Sequence, residues 1–221
     1  MPGVIIIGAG PGIGLSVARR FAREGFSIGV IARSQKSVEA TISALAGEGV
    51  DTRGATADAA EEEALRSALD ELVDYLGVPD VLVYNAAIIQ WDSVGQLSAA
   101  QHLDAWAVNV VGAITAATHL LPEMAKAGGG TYVITGGMPK PVPEVASLSL
   151  SKAGVRALAE MLDAQFSPSG VHVATVTVGG AVALGTAFDP DDIAEHYWRL
   201  HVQPADEWER EVLHDGRRRA T

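Results

Sequence analysis

Short apolar segments alternate with longer amphipathic segments along most of the chain. Six runs are nearly continuously apolar or small, at residues 4–7, 27–32, 52–57, 81–85, 131–135 and 172–178. Such runs are typical of strands that are buried on both faces of a sheet. Longer segments with helical periodicity lie between them, at residues 12–24, 35–48, 61–76, 99–126 and 147–166. This alternation predicts a parallel sheet with helices on both faces.

Glycine and proline stand between each predicted helix and the strand that follows it, for example at Gly25, at Gly77 with Pro79, and in the glycine run 128–130. Because βαβ crossovers are right-handed, few topologies remain besides a doubly wound, Rossmann-type sheet. We therefore predict an α/β fold in a single domain over residues 1–221. After about residue 180 the pattern weakens to a short loop and a C-terminal extension. The extension has a short helix at 191–200 and a candidate strand near 209–213.

Composition and charge exclude several classes of function. The chain has 221 residues, 48% of them hydrophobic, which is enough for one sizeable core. Its 16 basic and 27 acidic residues give a net charge of −11, which repels nucleic-acid backbones. It has no cysteine, and no uninterrupted apolar run reaches the roughly 18 residues that span a membrane. We expect a cytoplasmic protein without a nucleic-acid, membrane or metal partner, whose basic run at 217–219 is a solvated tail.

A glycine-rich turn connects the first predicted strand to the first helix. Gly8, Gly12 and Gly14, with Ile13 between the last two, form the pattern Gly-x-x-x-Gly-x-Gly. Glycines permit a tight turn and close approach of a ligand to the backbone, and the free N–H groups at a helix N-terminus bind phosphate. We therefore expect this turn to bind the pyrophosphate of a dinucleotide cofactor.

The residues at the end of the second strand bear on the choice of dinucleotide. An acidic residue there would accept hydrogen bonds from the ribose hydroxyls of NAD. The chain has Arg33 and Ser34 instead. The planar guanidinium of Arg33 suits a 2′-phosphate, and Ser34 can add a hydroxyl. We therefore favour NADP(H) over NAD(H).

These segments, over about residues 4–180, resemble the short-chain dehydrogenase/reductases. The resemblance implies that Asp58 contacts adenine and that Asn85 belongs to an Asn-Asn-Ala-Gly motif, from which Tyr84 and Ala87 depart. It also implies a small carbonyl or alcohol as substrate, with the short loop after about residue 180 as the substrate loop. A homo-oligomer, dimer or tetramer, would pair through the helices at 99–126 and 147–166.

Members of this family transfer protons with a Tyr-x-x-x-Lys pair, supported by a serine and an asparagine. By resemblance, Asn109 is that asparagine, and Lys152 is the lysine that also binds the nicotinamide ribose. The tyrosine position is taken by Leu148, which cannot exchange a proton. Val178, before Gly179, replaces the proline of the family's Pro-Gly pair.

The position of the serine stays open. Counting back from Leu148 selects Thr135, which keeps a hydroxyl, whereas alignment by the end of the strand selects Gly136 or Gly137. The adenosine end of the expected site is thus retained and the nicotinamide end is changed. We predict an NADP(H)-dependent oxidoreductase with a non-standard proton donor. The alternative is a catalytically impaired NADP(H)-binding protein that serves as a regulator or sensor.

Overall fold

Seven parallel strands form one sheet in the computed structural model, which describes residues 2–217. The order is β3-β2-β1-β4-β5-β6-β7. The strands are β1 (Gly3–Ile7), β2 (Ser27–Ala32), β3 (Thr52–Thr56), β4 (Val81–Tyr84), β5 (Gly130–Gly137), β6 (Val171–Val178) and β7 (Glu211–His214). The predicted single-domain, doubly wound α/β fold is confirmed. Of the basic run at 217–219, residues 218 and 219 lie outside the described residues.

Seven α-helices cover the sheet within the described part of the chain. They are α1 (Ile13–Ala22), α2 (Gln35–Ala46), α3 (Glu62–Leu76), α4 (Ala99–Trp106), α5 (Gly112–Lys126), α6 (Ala146–Phe166) and α7 (Pro190–His201). A π-helical turn, Ala107–Val111, joins α4 to α5, so that the predicted helix at 99–126 is continuous but not regular. Two 3₁₀ turns, Ser167–Ser169 and Ala205–Glu207, lie in the connections to β6 and β7.

Each face of the sheet has its own apolar core, because side chains alternate along a strand. Ile5 and Ile7 of β1 pack with α3, α5 and α6 on what we call the α6 face. Val4 and Ile6 pack with α1, α2 and α7 on what we call the α7 face. In β5 the same alternation places Ile134 on the α6 face and its neighbours on the α7 face.

The continuous helix Ala99–Lys126 is long and apolar enough, by composition, to cross a membrane. In this fold 61% of its most apolar window is buried inside the domain. Ala113, Ala116 and Leu120 of this helix belong to the core of the α6 face. Its apolar character is therefore that of a core helix.

The C-terminal extension returns to the edge of the sheet and completes it. The candidate strand near 209–213 is present as β7, which pairs in parallel with β6. His172 of β6 holds the returning segment, since its ring nitrogens lie 3.0 Å from the Leu200 carbonyl and 2.8 Å from the Glu209 carbonyl. The same ring stacks on Trp208 at a centroid distance of 4.8 Å. The segment from α7 to β7 thus belongs to the folded domain.

Candidate functional site

A cleft of about 600 Å³ opens at the carboxyl ends of β1 to β4. Parallel strands bring these ends to one edge of the sheet, which is where ligands bind in open α/β sheets. Five of the predicted cofactor residues line the cleft: Gly8, Arg33, Ser34, Asp58 and Asn85. The lining does not include the other predicted site residues, which are Gly12, Ile13, Gly14, Asn109, Thr135 and Lys152.

The glycine turn closely follows β1 and is held against the loop after β4. Gly8 has a φ of +87°, and a Cβ atom there would overlap the backbone nitrogen of Ala86. A Cβ atom at Gly14 would lie 2.8 Å from the carbonyl oxygen of Gly8. Both positions therefore require glycine, one for its conformation and its space and the other for helix–turn packing.

The N-terminus of α1 faces open space. Gly12 is the N-cap residue, no side chain caps the helix, and a Cβ atom at Gly12 would meet nothing within 4 Å. The first-turn amides of a helix lack intrahelical partners, and the helix dipole favours an anion in front of them. Ile13 contributes its backbone here, because its side chain is buried in the core of the α7 face. The turn is shaped to receive an anionic group.

Arg33 is exposed at the wall of the cleft, and its guanidinium makes no hydrogen bond or ion pair with any residue in the range 2–217. Ser34 is the N-cap of α2, where its hydroxyl accepts a hydrogen bond from the Ser37 amide at 3.2 Å. Asp58 is half-buried, and its carboxylate accepts a hydrogen bond from the Ala60 amide at 3.0 Å. Arg33 is thus the cation left available to a ligand at this end.

Asn85 joins the glycine turn to β5. Its Nδ2 donates to the Gly8 carbonyl at 2.9 Å, and its Oδ1 accepts from the Thr135 hydroxyl at 2.9 Å. The Thr135 hydroxyl also lies 2.7 Å from that of Tyr197 on α7. The side chain of Thr135 is therefore on the α7 face and engaged with two partners.

Lys152 reaches the same strand from the opposite face. Its Nζ donates to the Thr135 carbonyl at 2.6 Å, and the residue is only 6% exposed. Burial lowers the pKa of Lys152 to about 8. A Cβ atom at Gly137 would lie 3.6 Å from Cγ of Lys152, so the strand position beside the lysine is Gly137, which has no hydroxyl.

Asn109 lies in the π-helical turn and is buried. Its Oδ1 accepts from the Ile88 amide at 2.6 Å and its Nδ2 donates to the Ile88 carbonyl at 3.1 Å. Asn109 therefore clamps the loop after β4, which lines the cleft at Ile88. A π-turn interrupts the regular helical hydrogen bonding, and such turns are frequent at functional sites.

Tyr84 stabilises this π-turn, and the sequence analysis assigned it no role. Its hydroxyl donates to the Val108 carbonyl, and a side chain at Gly112 would overlap that hydroxyl. The departure of Tyr84 from the family's Asn-Asn-Ala-Gly motif was the available signal. The partner of the hydroxyl could be identified only from the structure.

Arg156 was also missed. It lies one helical turn after Lys152 on α6, and its Nη1 donates to the carbonyls of Gly137 at 3.0 Å and Met138 at 3.2 Å. Met138 has a φ of +49°, in the left-handed region that a non-glycine residue rarely adopts. Arg156 therefore holds a strained segment beside Lys152. Its spacing of four residues from Lys152 was visible in the sequence.

Leu148, at the family's tyrosine position, is 4% exposed on α6. The four tyrosines of the chain all lie elsewhere, each with a hydrogen-bond acceptor or partner. The pairs are Tyr75 with Asp51, Tyr84 with the Val108 carbonyl, Tyr132 with the Ala113 carbonyl, and Tyr197 with Thr135. Tyr132 and Tyr197 are fully buried.

Comparisons with known proteins agree on one family. Residues 3–188 match the family profile described as short chain dehydrogenase. The chain is 30% identical over 174 residues to dehydrogenase/reductase SDR family member 4 of Sus scrofa, and the match covers 76% of this chain and 61% of that protein. The chain thus spans less than two thirds of the length of this relative.

Among the solved structures with similar folds are two dinucleotide complexes. A metagenomic short-chain oxidoreductase in complex with NADP has a TM-score of 0.87 at 24% identity, covering 96% of this chain and 95% of the other. An NAD⁺-bound xylitol dehydrogenase has a TM-score of 0.78 at 26% identity, covering 83% of this chain and 72% of the other. Because the profile match covers residues 3–188, the chain belongs to the short-chain dehydrogenase/reductase family of oxidoreductases.

Proposed function

We propose that the protein is an NADP(H)-dependent oxidoreductase that acts on a small carbonyl or alcohol with a non-standard proton donor. The observation that carries this proposal is the buried ammonium group of Lys152, 2.6 Å from the Thr135 carbonyl. Thr135 is in turn connected through Asn85 to a glycine turn that is open to an anionic group. A proton source and a dinucleotide turn are thus part of one connected site.

The residues present fit a dinucleotide. Gly12 leaves space in front of α1, and Gly8 and Gly14 permit the close turn behind it. We assign the pyrophosphate to this turn, the adenosine to the cleft wall with Asp58, and the nicotinamide ribose to Lys152. When bound, NADP(H) supplies or accepts the hydride. The protein's part is to bind the two reactants together, which can contribute about 7–11 kcal/mol to lowering the barrier.

Arg33 supports the preference for NADP(H) over NAD(H). Its guanidinium has no protein partner among residues 2–217 and lines the cleft beside Ser34. A charged hydrogen bond to a phosphate contributes about 1.5–3 kcal/mol. The ribose of NAD has no phosphate at this position, so Arg33 would gain little from it.

Lys152 is our candidate for the proton donor, directly or through a bound water. Leu148 has no proton to give, and each tyrosine hydroxyl is engaged elsewhere, so we propose that this member lacks the usual catalytic tyrosine. With a pKa of about 8, the Lys152 ammonium is close to the range in which general acids work best near neutral pH. Losing a positioned acid costs about 10²–10⁴ in rate, so we expect slow turnover.

A binding protein without turnover is the second candidate function. The observations that favour it are Leu148, which cannot exchange a proton, and Val178, which replaces the proline of the family's Pro-Gly pair. Such a protein would report the ratio of NADPH to NADP through a change in assembly or partner binding. It would share the whole cofactor site with the first candidate.

Titration with NADPH and NADH, followed by a panel of aldehydes and ketones, tests both candidates. We expect tighter binding of NADPH and slow, carbonyl-dependent oxidation of NADPH. Leu148→Tyr should accelerate that oxidation, whereas Leu213→Tyr, at a half-exposed leucine of β7, should not. Tight binding without turnover of any carbonyl would favour the sensor. Failure to bind either dinucleotide would contradict both.

A homo-oligomer is part of the proposal. Large apolar side chains are exposed along α4, α5 and α6, at Leu103, Trp106, Ile114, Leu150 and Met161. Large apolar side chains that are exposed on neighbouring helices are a feature of surfaces that bind other proteins. We propose pairing through these helices into a dimer or tetramer. Sedimentation of the wild type and of Leu103→Lys would test this, because a lysine in the interface should shift the population to monomer.

The remaining parts of the proposal concern location and other partners. With a net charge of −11, we expect no binding to nucleic acid. We propose a cytoplasmic location without a membrane partner. We expect the substrate to be a small molecule. We expect the loop of residues 179–189, between β6 and α7, to lie over it.

A further inference from the structure

A series of hydrogen bonds runs from α7 across the end of β5 to the glycine turn. The Tyr197 hydroxyl lies 2.7 Å from the Thr135 hydroxyl, which donates to Asn85 Oδ1 at 2.9 Å. Asn85 Nδ2 then donates to the Gly8 carbonyl at 2.9 Å. We refer to these three bonds as the hydrogen-bond series.

The direction of the hydrogen-bond series is fixed by its chemistry. A hydroxyl has one proton, and that of Thr135 goes to Asn85 Oδ1, which can only accept. Tyr197 must therefore donate to Thr135. The Gly8 carbonyl can only accept, so Nδ2 of Asn85 faces it and Oδ1 faces Thr135. One arrangement of donors satisfies all four residues.

Burial makes this arrangement costly to break. Tyr197 is fully buried and Thr135 is 6% exposed, so water cannot readily replace a lost partner. Burial also raises the pKa of Tyr197, so its phenol keeps the proton that it donates. Buried bonds of this kind strengthen one another.

The hydrogen-bond series ends at the Gly8 carbonyl, and the backbone of Gly8 determines the direction of the turn. Gly8 adopts a left-handed φ, and its carbonyl is the group on which Gly14 of α1 packs. The amides of Gly8 and Ala9 both donate to the Ile31 carbonyl, at 2.8 and 3.0 Å. An Asn85 amide that is free to rotate would release the Gly8 carbonyl and, with it, the start of α1.

We infer that Thr135 and Tyr197 are positioning residues for the glycine turn, acting on it through Asn85. The inference deepens the proposed function, on which it rests for the identity of the ligand. It also means that the Thr135 hydroxyl does not polarise the substrate, because that hydroxyl lies on the α7 face. The cofactor affinity then depends on α7, a helix that lies outside the cleft.

The chain provides a matched control at the other end of the same strand and helix. Thr131 of β5 is buried, and its hydroxyl lies 3.0 Å from Nδ1 of His201 on α7. Thr131→Val therefore removes a β5–α7 hydrogen bond of the same kind, at a site remote from the turn. Any effect of general loosening between β5 and α7 should be common to Thr131→Val and Thr135→Val.

The experiment compares wild type, Thr135→Val, Thr135→Ser, Tyr197→Phe and Thr131→Val. Hydrogen exchange of the amides of residues 8–15 is measured without ligand, and NADPH affinity is measured by titration. We expect Thr135→Val to weaken NADPH binding roughly tenfold and to accelerate exchange in the turn by a similar factor. Thr135→Ser should stay within about twofold of wild type, and Tyr197→Phe should be intermediate.

The outcomes separate this inference from the proposed function. Exchange in the turn that is unchanged by Thr135→Val, or accelerated equally by Thr131→Val, would overturn the inference. If wild type binds no NADPH, the proposed function fails, but faster exchange in Thr135→Val alone still supports the positioning role. The double variant Thr135→Val/Tyr197→Phe should change exchange and NADPH affinity no more than Thr135→Val does, because the two residues act in one series.

Discussion

Lys152 and Thr135 meet through the backbone of Thr135 and not through its side chain. Nζ of Lys152 donates to the Thr135 carbonyl at 2.6 Å, whereas the Thr135 hydroxyl bonds to Tyr197 and Asn85 on the opposite side of the sheet. The strand thus separates a cationic group on the α6 face from a hydroxyl on the α7 face. Several predictions about Lys152 depend on this separation, because no side-chain hydroxyl of β5 faces its ammonium.

Carbonyl reduction should slow as the pH rises through about 8, which is the pKa of Lys152. Only the protonated amine can donate, so the rate is highest below this pH and falls above it, while alcohol oxidation changes in the opposite direction. Steady-state rates from pH 6 to 10 would measure this. Lys152→Gln should lose the pH-dependent step, and a flat wild-type profile would exclude Lys152 as the donor.

The same pKa predicts how the stability of the fold depends on pH. Lys152 has a pKa of about 8 in the folded chain and 10.5 as its ordinary value. Below pH 8 both states bind the proton and the burial penalty is complete. Between pH 8 and 10.5 the unfolded state binds more protons, so this penalty, up to about 3 kcal/mol, is lost as the pH rises.

Urea unfolding of wild type and Lys152→Met at pH 7 to 10 would measure this difference. As the pH rises, the free energy of unfolding of the wild type should increase relative to that of Lys152→Met. Lys126→Met, at a surface lysine with 71% side-chain exposure, should show no comparable trend. A constant difference between wild type and Lys152→Met would mean that burial does not shift this amine.

Arg33→Ala should weaken NADPH binding by roughly 10- to 100-fold and leave NADH binding nearly unchanged. The reason is that the guanidinium would bond only to the 2′-phosphate, at a free energy of about 1.5–3 kcal/mol. Calorimetric titration with both dinucleotides measures the effect. Arg23→Ala, an exposed arginine after α1, is the matched control. Equal losses for NADPH and NADH would contradict a phosphate-specific role.

Gly112→Ala should destabilise the fold by about 1–3 kcal/mol through overpacking. Its Cβ would overlap the Tyr84 hydroxyl and lie 2.5 Å from the Ala59 carbonyl oxygen. Tyr84→Phe should recover part of this loss, because it removes the first of these contacts. The two variants would therefore not be additive in urea unfolding.

Gly47→Ala is the control for the glycine substitution. Gly47 ends α2 with a φ of −61°, and a Cβ there would lie at an ordinary 3.5 Å from its nearest neighbours. This variant should be stabilising by about 0.4–1 kcal/mol. If Gly112→Ala behaves in the same way, the π-turn is not packed as described.

Arg156→Met should lower kcat by about tenfold and leave NADPH affinity within about twofold. Without its hydrogen bonds to Gly137 and Met138, the strained segment beside Lys152 can relax away from its catalytic arrangement. Arg156→Lys should retain part of the rate. Arg210→Met, which removes a surface ion pair with Asp163 at 3.4 Å, is the control. A change confined to NADPH affinity would contradict this role.

The sequence by itself determined the framework of the site. Buried parallel strands are continuous apolar runs, so their positions, and the residues that follow them, could be recognised locally. Gly8, Arg33, Asp58 and Asn85 lie at or just after the ends of four predicted strands, and the parallel sheet brings them together at one edge. The position of Lys152 on α6 could also be predicted, since a helix begins and ends with local signals.

Only the tertiary structure decided which way side chains at the end of β5 point. Counting residues back from Leu148 selected Thr135, but the β5–α6 loop fixes no register, and the pairing of β5 with its neighbours does. A shift of one residue moves a strand side chain to the other face of the sheet. The structure places Gly137 beside Lys152, although Gly137 is only two residues from Thr135, whose hydroxyl turns to Tyr197, a partner 62 residues away in the chain. Contacts over such a separation depend on packing, which no local pattern encodes.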